Sequence, residues 1–158
     1  EMQNIVLIGM PGCGKSMVGR LLAERLGREL LDADAAVEAA AGCTIPEIFA
    51  QGGEAAFRRM ETQALEALGK RSGCVIATGG GCVTRAENYP LLHQNSVIVW
   101  LQRDTARLPS KGRPLSQNAD LAAMYAVRAP LYARFSDYSA DNNGSPEETV
   151  RHIMEVLS

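Results

Sequence analysis

Gly9 to Ser16 read GMPGCGKS, which satisfies the pattern G-x-x-x-x-G-K-[ST] directly after the apolar run Ile5-Val6-Leu7-Ile8. A loop of this composition between a strand and a helix cradles phosphate. Gly12 and Gly14 tolerate backbone angles closed to other residues, so the N–H groups of Gly12, Cys13 and Gly14 can converge on one anion. Lys15 supplies a cation for the β- and γ-phosphates and Ser16 a hydroxyl for Mg²⁺. The positive end of the following helix faces the same charge. A chance glycine-rich turn rarely sits between a β-branched strand and an amphipathic helix. A dinucleotide-binding fingerprint is the nearer competitor, since Gly12-Cys13-Gly14 begins G-x-G and Asp32 lies near the spacing of a ribose-binding acid. It fails at Met17, where a third glycine is required.

Further chemistry clusters just after candidate strand ends, where open α/β sheets place their ligands. In LLDAD, Asp32 and Asp34 are two apart, and in extended chain both carboxylates emerge on one side. Asp32 then suits a Mg²⁺-bound water, and Asp34 a hydrogen bond or the proton from an attacking hydroxyl. A helix N-cap is the competing role. Gly79-Gly80-Gly81 follow Thr78 at the end of CVIA and allow close backbone approach to a ligand, or simply a flexible turn. Arg58 and Glu61, three apart, form a candidate pair on the non-core face of a helix, where such pairs are usually solvated. Arg113 lies in Leu108 to Asn118, a stretch with the composition of a mobile loop.

The elements that must position these residues alternate. Strands are expected at Asn4–Ile8, Glu29–Asp32, Cys74–Ala77, Ser96–Leu101 and near Tyr138. Helices are expected at Lys15–Leu26, with Gly27 as its stop, at Gly53–Leu68 with a stripe of Phe57, Met60, Ala64 and Leu68, at Asp120–Phe135, where Pro130 should kink or divide the helix, and at Pro146–Leu157. Such alternation implies a parallel sheet with helices on both faces, and the 158 residues suffice for one domain.

With 16 basic and 18 acidic residues the net charge is −2, so no cationic field favours nucleic acid or an anionic membrane. Cys13, Cys43, Cys74 and Cys82 show neither C-x-x-C spacing nor a nearby histidine, and are expected as reduced thiols. No apolar run has the length of a membrane span, and no basic-then-apolar leader is visible, so a cytoplasmic location is expected. A monomer is expected. The start at Glu1 leaves open a processed terminus, a tag remnant, or a place in a longer multifunctional chain.

GMPGCGKS, LLDAD, GGEAAFRRME, TGGG, GRPL and VRAPLY occur in the order and approximate spacing of shikimate kinase, a nucleoside-monophosphate-kinase-like P-loop enzyme, and the chain resembles that family over nearly its whole length. The resemblance implies a three-layer α/β/α fold with a five-stranded parallel sheet in order 2-3-1-4-5. It also implies ATP- and Mg²⁺-dependent phosphorylation of the shikimate 3-hydroxyl, in chorismate and aromatic amino-acid biosynthesis. By the same resemblance Asp34 binds the reacting hydroxyl, Arg58 and Arg128 grip the carboxylate, Glu61 orients Arg58, and Gly79, Gly80 and Gly81 bring backbone donors to the substrate. Lys15, Asp34 and Arg113 become the catalytic set, Arg113 as the arginine of a lid at about 108–118, with the acceptor held by a helical region at about 34–61. Gly12, Cys13, Gly14, Lys15, Ser16 and Met17 would hold the phosphates, Arg107 and Pro146 the adenine, and Ser16 and Asp32 the metal. Met17 replaces the Thr or Ser common in the family, and the lid is shorter and poorer in arginine. Another small-molecule kinase of the same fold, such as a gluconate kinase, and a nucleotide-binding module without catalysis are the competing readings.

Overall fold

The computed structural model describes residues 2–108 and 115–158, with side chains described for all of these except 115–119. Five parallel strands, β1 Asn4–Ile8, β2 Leu30–Asp32, β3 Val75–Ala77, β4 Ser96–Gln102 and β5 Tyr138–Asp141, form one sheet in the order β2-β3-β1-β4-β5. This is the expected order. Central β1 pairs with β3 through Ile5↔Val75 and with β4 through Val6↔Ile98. Val6, Leu7 and Ile8 are fully buried, as a strand covered on both faces requires, and each contributes about 1.5–3 kcal/mol of apolar burial. The loop that follows is thereby anchored to a strand buried along its whole length.

Six helices surround the sheet: α1 Lys15–Leu26, α2 Ala33–Ala41, α3 Ile45–Gly69, α4 Asn88–His93, α5 Leu115–Phe135 and α6 Pro146–Leu157. α1 packs against α6 and β3, while α4 and α5 pack beside β4. α1 turns Val18, Gly19 and Leu22 to the core and ends at Gly27, whose φ of 66° closes the cap expected there.

The differences from expectation lie around α2, α3 and α5. α2 reads ADAAVEAAA and lacks an apolar stripe, yet alanine has the highest helix propensity and the Asp32 side chain caps the first turn through the Ala35 N–H. The expected helix from Gly53 is only the second half of α3, which starts at Ile45 behind the Thr44 cap and breaks at Gly53, where φ is 73°. The second half buries Phe57, Glu61, Leu65 and Leu68, so the core face is rotated from the expected stripe and Met60 and Ala64 sit half-buried at its flank. α5 begins at Leu115, before the expected Asp120, and continues through Pro130 as one element. Val37, Ile48 and Phe57 form a small core of their own, apart from the main one.

Gly69 ends α3 where a Cβ would collide with the Leu91 backbone carbonyl. Gly69→Ala should therefore lose about 2 kcal/mol of stability net of its helix-propensity gain. Gly27→Ala meets nothing within 4 Å and should lose only the left-handed backbone cost, about 1 kcal/mol. Urea denaturation of both variants checks the difference.

Candidate active site

The phosphate loop is held by its own backbone and by Lys15. Lys15 is buried, and its Nζ donates to the Gly9 carbonyl at 2.7 Å and the Met10 carbonyl at 2.9 Å, with the Cys13 Sγ at 3.7 Å. One expectation is corrected here. The Cys13 N–H does not join the anion-facing set but closes a turn onto the Met10 carbonyl at 3.1 Å, because a loop this tight satisfies a buried donor internally. Gly12, Gly14, Lys15, Ser16 and Met17 line a cavity of about 440 Å³ together with Asp32, Asp34, Thr78, Gly79 and Gly80.

Asp32 and Asp34 reach that cavity by a different route from the one their spacing suggests. β2 stops at Asp32, which serves as the N-cap of α2, and Asp34 lies in the first helical turn. They share a cavity wall, though not an extended strand. Asp34 Oδ1 is buried without a hydrogen-bond partner. Burial, and after it the neighbouring Asp32 carboxylate, holds the Asp34 carboxyl above its ordinary 3.8, against the opposing pull of Lys15.

Glu61 overturns its expected solvent-facing position: it is fully buried. Its Oε1 accepts from Arg58 Nη1 at 2.9 Å, while Oε2 has no hydrogen-bond partner. A buried carboxylate without a cation would be costly, so the guanidinium is drawn inward to meet it. Arg58 is further fixed by Glu54 at 3.7 Å and by the Phe57 ring, 5.1 Å from the guanidinium carbon.

The glycine run after β3 touches all of these groups. A Cβ on Gly79 would lie 2.8 Å from Asp34 Oδ1 and 3.1 Å from Glu61 Oε2, one on Gly80 would lie 2.6 Å from the Pro11 ring, and one on Gly81 would collide with the Arg58 guanidinium. Three successive positions are thus crowded by four neighbours, Asp34, Glu61, Pro11 and Arg58. Beyond Gly81 a second cavity of about 420 Å³ is lined by Arg58 and Arg128, with Glu54, Thr84, Met124 and Val127 among its walls. The two arginines thus share one cavity, while Lys15 lines the other with Gly79 and Gly80.

Sequence reading missed two supports. The first is Tyr132. It is fully buried, and its hydroxyl donates to the Gly80 carbonyl at 2.6 Å beside the Arg128 guanidinium, with burial pushing the phenol pKa upward. Its place one helical turn after Arg128 was the available signal, because a buried tyrosine needs a partner for its polar tip. The second is Asn142, whose Nδ2 donates to the Cys13 carbonyl at 2.7 Å, a contact between distant segments that no local pattern announces. Arg107 Nη1 donates to the Asn143 carbonyl at 3.2 Å, close in the chain to Pro146, the first residue of α6. Arg113 and most of the expected lid lie outside the described residues.

The sequence profile of the family described as shikimate kinase matches residues 11–158. The chain belongs to the shikimate kinase family. The shikimate kinase of Parasynechococcus marenigrum strain WH8102 is 44% identical, with 98% of this chain and 86% of the relative covered. The structure of shikimate kinase from Acinetobacter baumannii in complex with shikimate superposes with a TM-score of 0.89 at 38% identity, covering 99% of this chain and 93% of that one. Shikimate kinase from Aquifex aeolicus gives 0.82 at 31%, covering 98% and 95%. A gluconokinase from Sinorhizobium meliloti 1021, at 18% identity and a TM-score of 0.54 with 98% of this chain and 91% of the other covered, shares the fold alone. The strand order and sheet found here are thus those of shikimate kinases.

Glu61 gives a pH signature. Burial, more than offsetting the hydrogen bond from Arg58, raises its carboxyl above the ordinary 4.5. The folded protein therefore keeps a proton that the unfolded chain releases, and stability falls as pH rises from about 4.5 toward the raised value. Asp34 acts in the same direction. Glu61→Gln should make the decline shallower by up to about 1.4 kcal/mol per pH unit over that window. Urea denaturation at a series of pH values measures the slope, and an unchanged slope would place the titration elsewhere.

Proposed function

We propose that the chain transfers the γ-phosphoryl group of ATP to the 3-hydroxyl of shikimate, giving shikimate 3-phosphate and ADP. The observation that carries this reading is a pair of cavities, one lined by Lys15, Ser16, two aspartates, Gly79 and Gly80, the other by Arg58 and Arg128. A polyanion suits the first. The second suits a carboxylate, because planar guanidinium groups donate two parallel hydrogen bonds to it.

In this mechanism Arg58 and Arg128 hold the shikimate carboxylate, Glu61 and Gly81 keep Arg58 in place, and Asp34 accepts a hydrogen bond from the reacting hydroxyl. The new bond joins the 3-oxygen to the γ-phosphorus as the bond from that phosphorus to the β,γ-bridging oxygen breaks, with the hydroxyl proton passing toward Asp34. The raised affinity of Asp34 for a proton suits that transfer. Lys15 exchanges its long contact with Cys13 Sγ for phosphate oxygens while keeping the two loop carbonyls. Ser16 and Asp32 are hard oxygen donors on one cavity wall and fit Mg²⁺, which supplies charge neutralisation at the phosphates. Arg107 and Pro146 would flank the base, and the family resemblance gives Arg113, outside the described residues, the role of neutralising charge on the transferring group.

The four cysteines are free thiols, which fits a reducing cytoplasm. Among the described residues no helix is long and apolar enough to cross a membrane.

A coupled assay of ADP release with ATP, Mg²⁺ and either shikimate or gluconate tests the reading. Turnover is expected with shikimate. Turnover confined to gluconate overturns the acceptor, and none with either overturns the kinase. Arg58→Lys should raise the shikimate KM at least about tenfold by losing the planar fork, with the ATP KM little changed. Asp34→Asn should lower kcat by about 10²–10⁴-fold.

A further inference from the structure

The geometry points to Asn142 as a positioning residue for the phosphate cradle, one that sets the direction of the Gly14 N–H. Asn142 follows the last residue of β5 and is 3% exposed. Its Nδ2 donates to the Cys13 carbonyl at 2.7 Å, and its Oδ1 accepts from Thr149 Oγ1 on α6 at 2.7 Å. Its backbone N–H donates to the Gln102 carbonyl and its own carbonyl accepts from Arg103 Nη1, both at 2.7 Å. A carbonyl on one side and a hydroxyl on the other fix which end of the side-chain amide is which. The amide cannot turn without breaking these bonds.

The consequence follows from peptide planarity. The Cys13 carbonyl and the Gly14 N–H belong to one trans peptide unit and point to opposite sides of it. Drawing the carbonyl toward Asn142 turns the N–H the other way, toward the cavity lined by Gly14, Lys15 and Ser16. Gly14 has a φ of 100°, and a Cβ there would lie 2.6 Å from Asn142 Nδ2, so the approach that makes this bond also demands the glycine. The segment continues to Asn143, whose carbonyl meets Arg107, and thus Asn142 joins the phosphate end of the nucleotide site to its base end. This inference rests on the nucleotide reading above.

The test compares binding of ADP and AMP, which differ by the β-phosphate, to the wild-type chain, Asn142→Ala and Thr149→Val by titration calorimetry. The wild type should prefer ADP. Asn142→Ala should lose about tenfold or more in ADP affinity, with AMP affinity within about twofold, as expected for one misdirected hydrogen bond to a charged group. Thr149→Val, which releases Oδ1 and the longer hydroxyl contacts to the Asp141 and Ser145 carbonyls but leaves the Asn142 donor in place, should show a smaller loss of the same selectivity. In turnover the ATP KM should rise while the shikimate KM holds. Equal losses for ADP and AMP, or an undiminished ADP preference in Asn142→Ala, overturn the proposal. A wild type that binds ADP no better than AMP overturns the cradle itself. Should Asn142→Ala fail to fold, Asn142→Asp keeps the shape, replaces the donor with an oxygen facing the Cys13 carbonyl, and is judged by the same outcomes.

Discussion

The site depends on close approach to bare backbone at Gly79, Gly80 and Gly81. A carboxylate pair, a proline ring and a guanidinium each rest against a different one of these glycines, at distances that any Cβ would forbid. The backbone forms a thin cavity wall there, on which Asp34, Glu61 and Arg58 converge. Transfer of a phosphoryl group demands that donor and acceptor stand in line within contact distance, and bulkier residues in that wall would take the space. The run is fixed from both ends: Thr78 Oγ1 bonds the Leu7 carbonyl at 2.8 Å, and Tyr132 bonds the Gly80 carbonyl. Thin and rigid are reconciled by borrowing stiffness from β1 and α5.

Charge is arranged around this wall with equal economy. Asp34 and Glu61 each present a buried oxygen without a hydrogen-bond donor, both directed at Gly79. An unsatisfied buried acceptor costs about 1–3 kcal/mol, and the strain falls where a hydroxylated acceptor is proposed to bind. Glu61 cannot leave, since it lies in the buried face of α3 between Phe57 and Leu65. Arg58 is consequently held by a partner that has no alternative position, which turns a long flexible side chain into a fixed fork.

Much of this was legible in the sequence. The phosphate loop and the alternation of elements follow from local signals, because each is decided within a few residues by glycine, apolar periodicity or a cap, whereas the strand order came from the resemblance alone. Arg58 and Arg128 were named as partners by resemblance, and both line one cavity. The local signals failed where tertiary contacts decide. Arg58 and Glu61 at three-residue spacing look like a surface pair, and only the packing of α3 against the sheet makes Glu61 an interior residue. α2 gave no periodic signal and was foreseen only within the helical region at about 34–61 that the resemblance implied, because alanine carries helix propensity but no amphipathic rhythm. Asn142 had no local signal, since its partner lies at the other end of the chain.

The break at Gly53 divides α3 into a portion that belongs with α2 and a portion that belongs with the sheet. Between them sits the small cluster of Val37, Ile48 and Phe57, separate from the main core. Phe57 is adjacent to Arg58 and stacks with Phe49 across the break. The helix that carries Arg58 thus folds its own first half back as an apolar support, so the ring of Phe57 is braced on one side while the guanidinium rests over it.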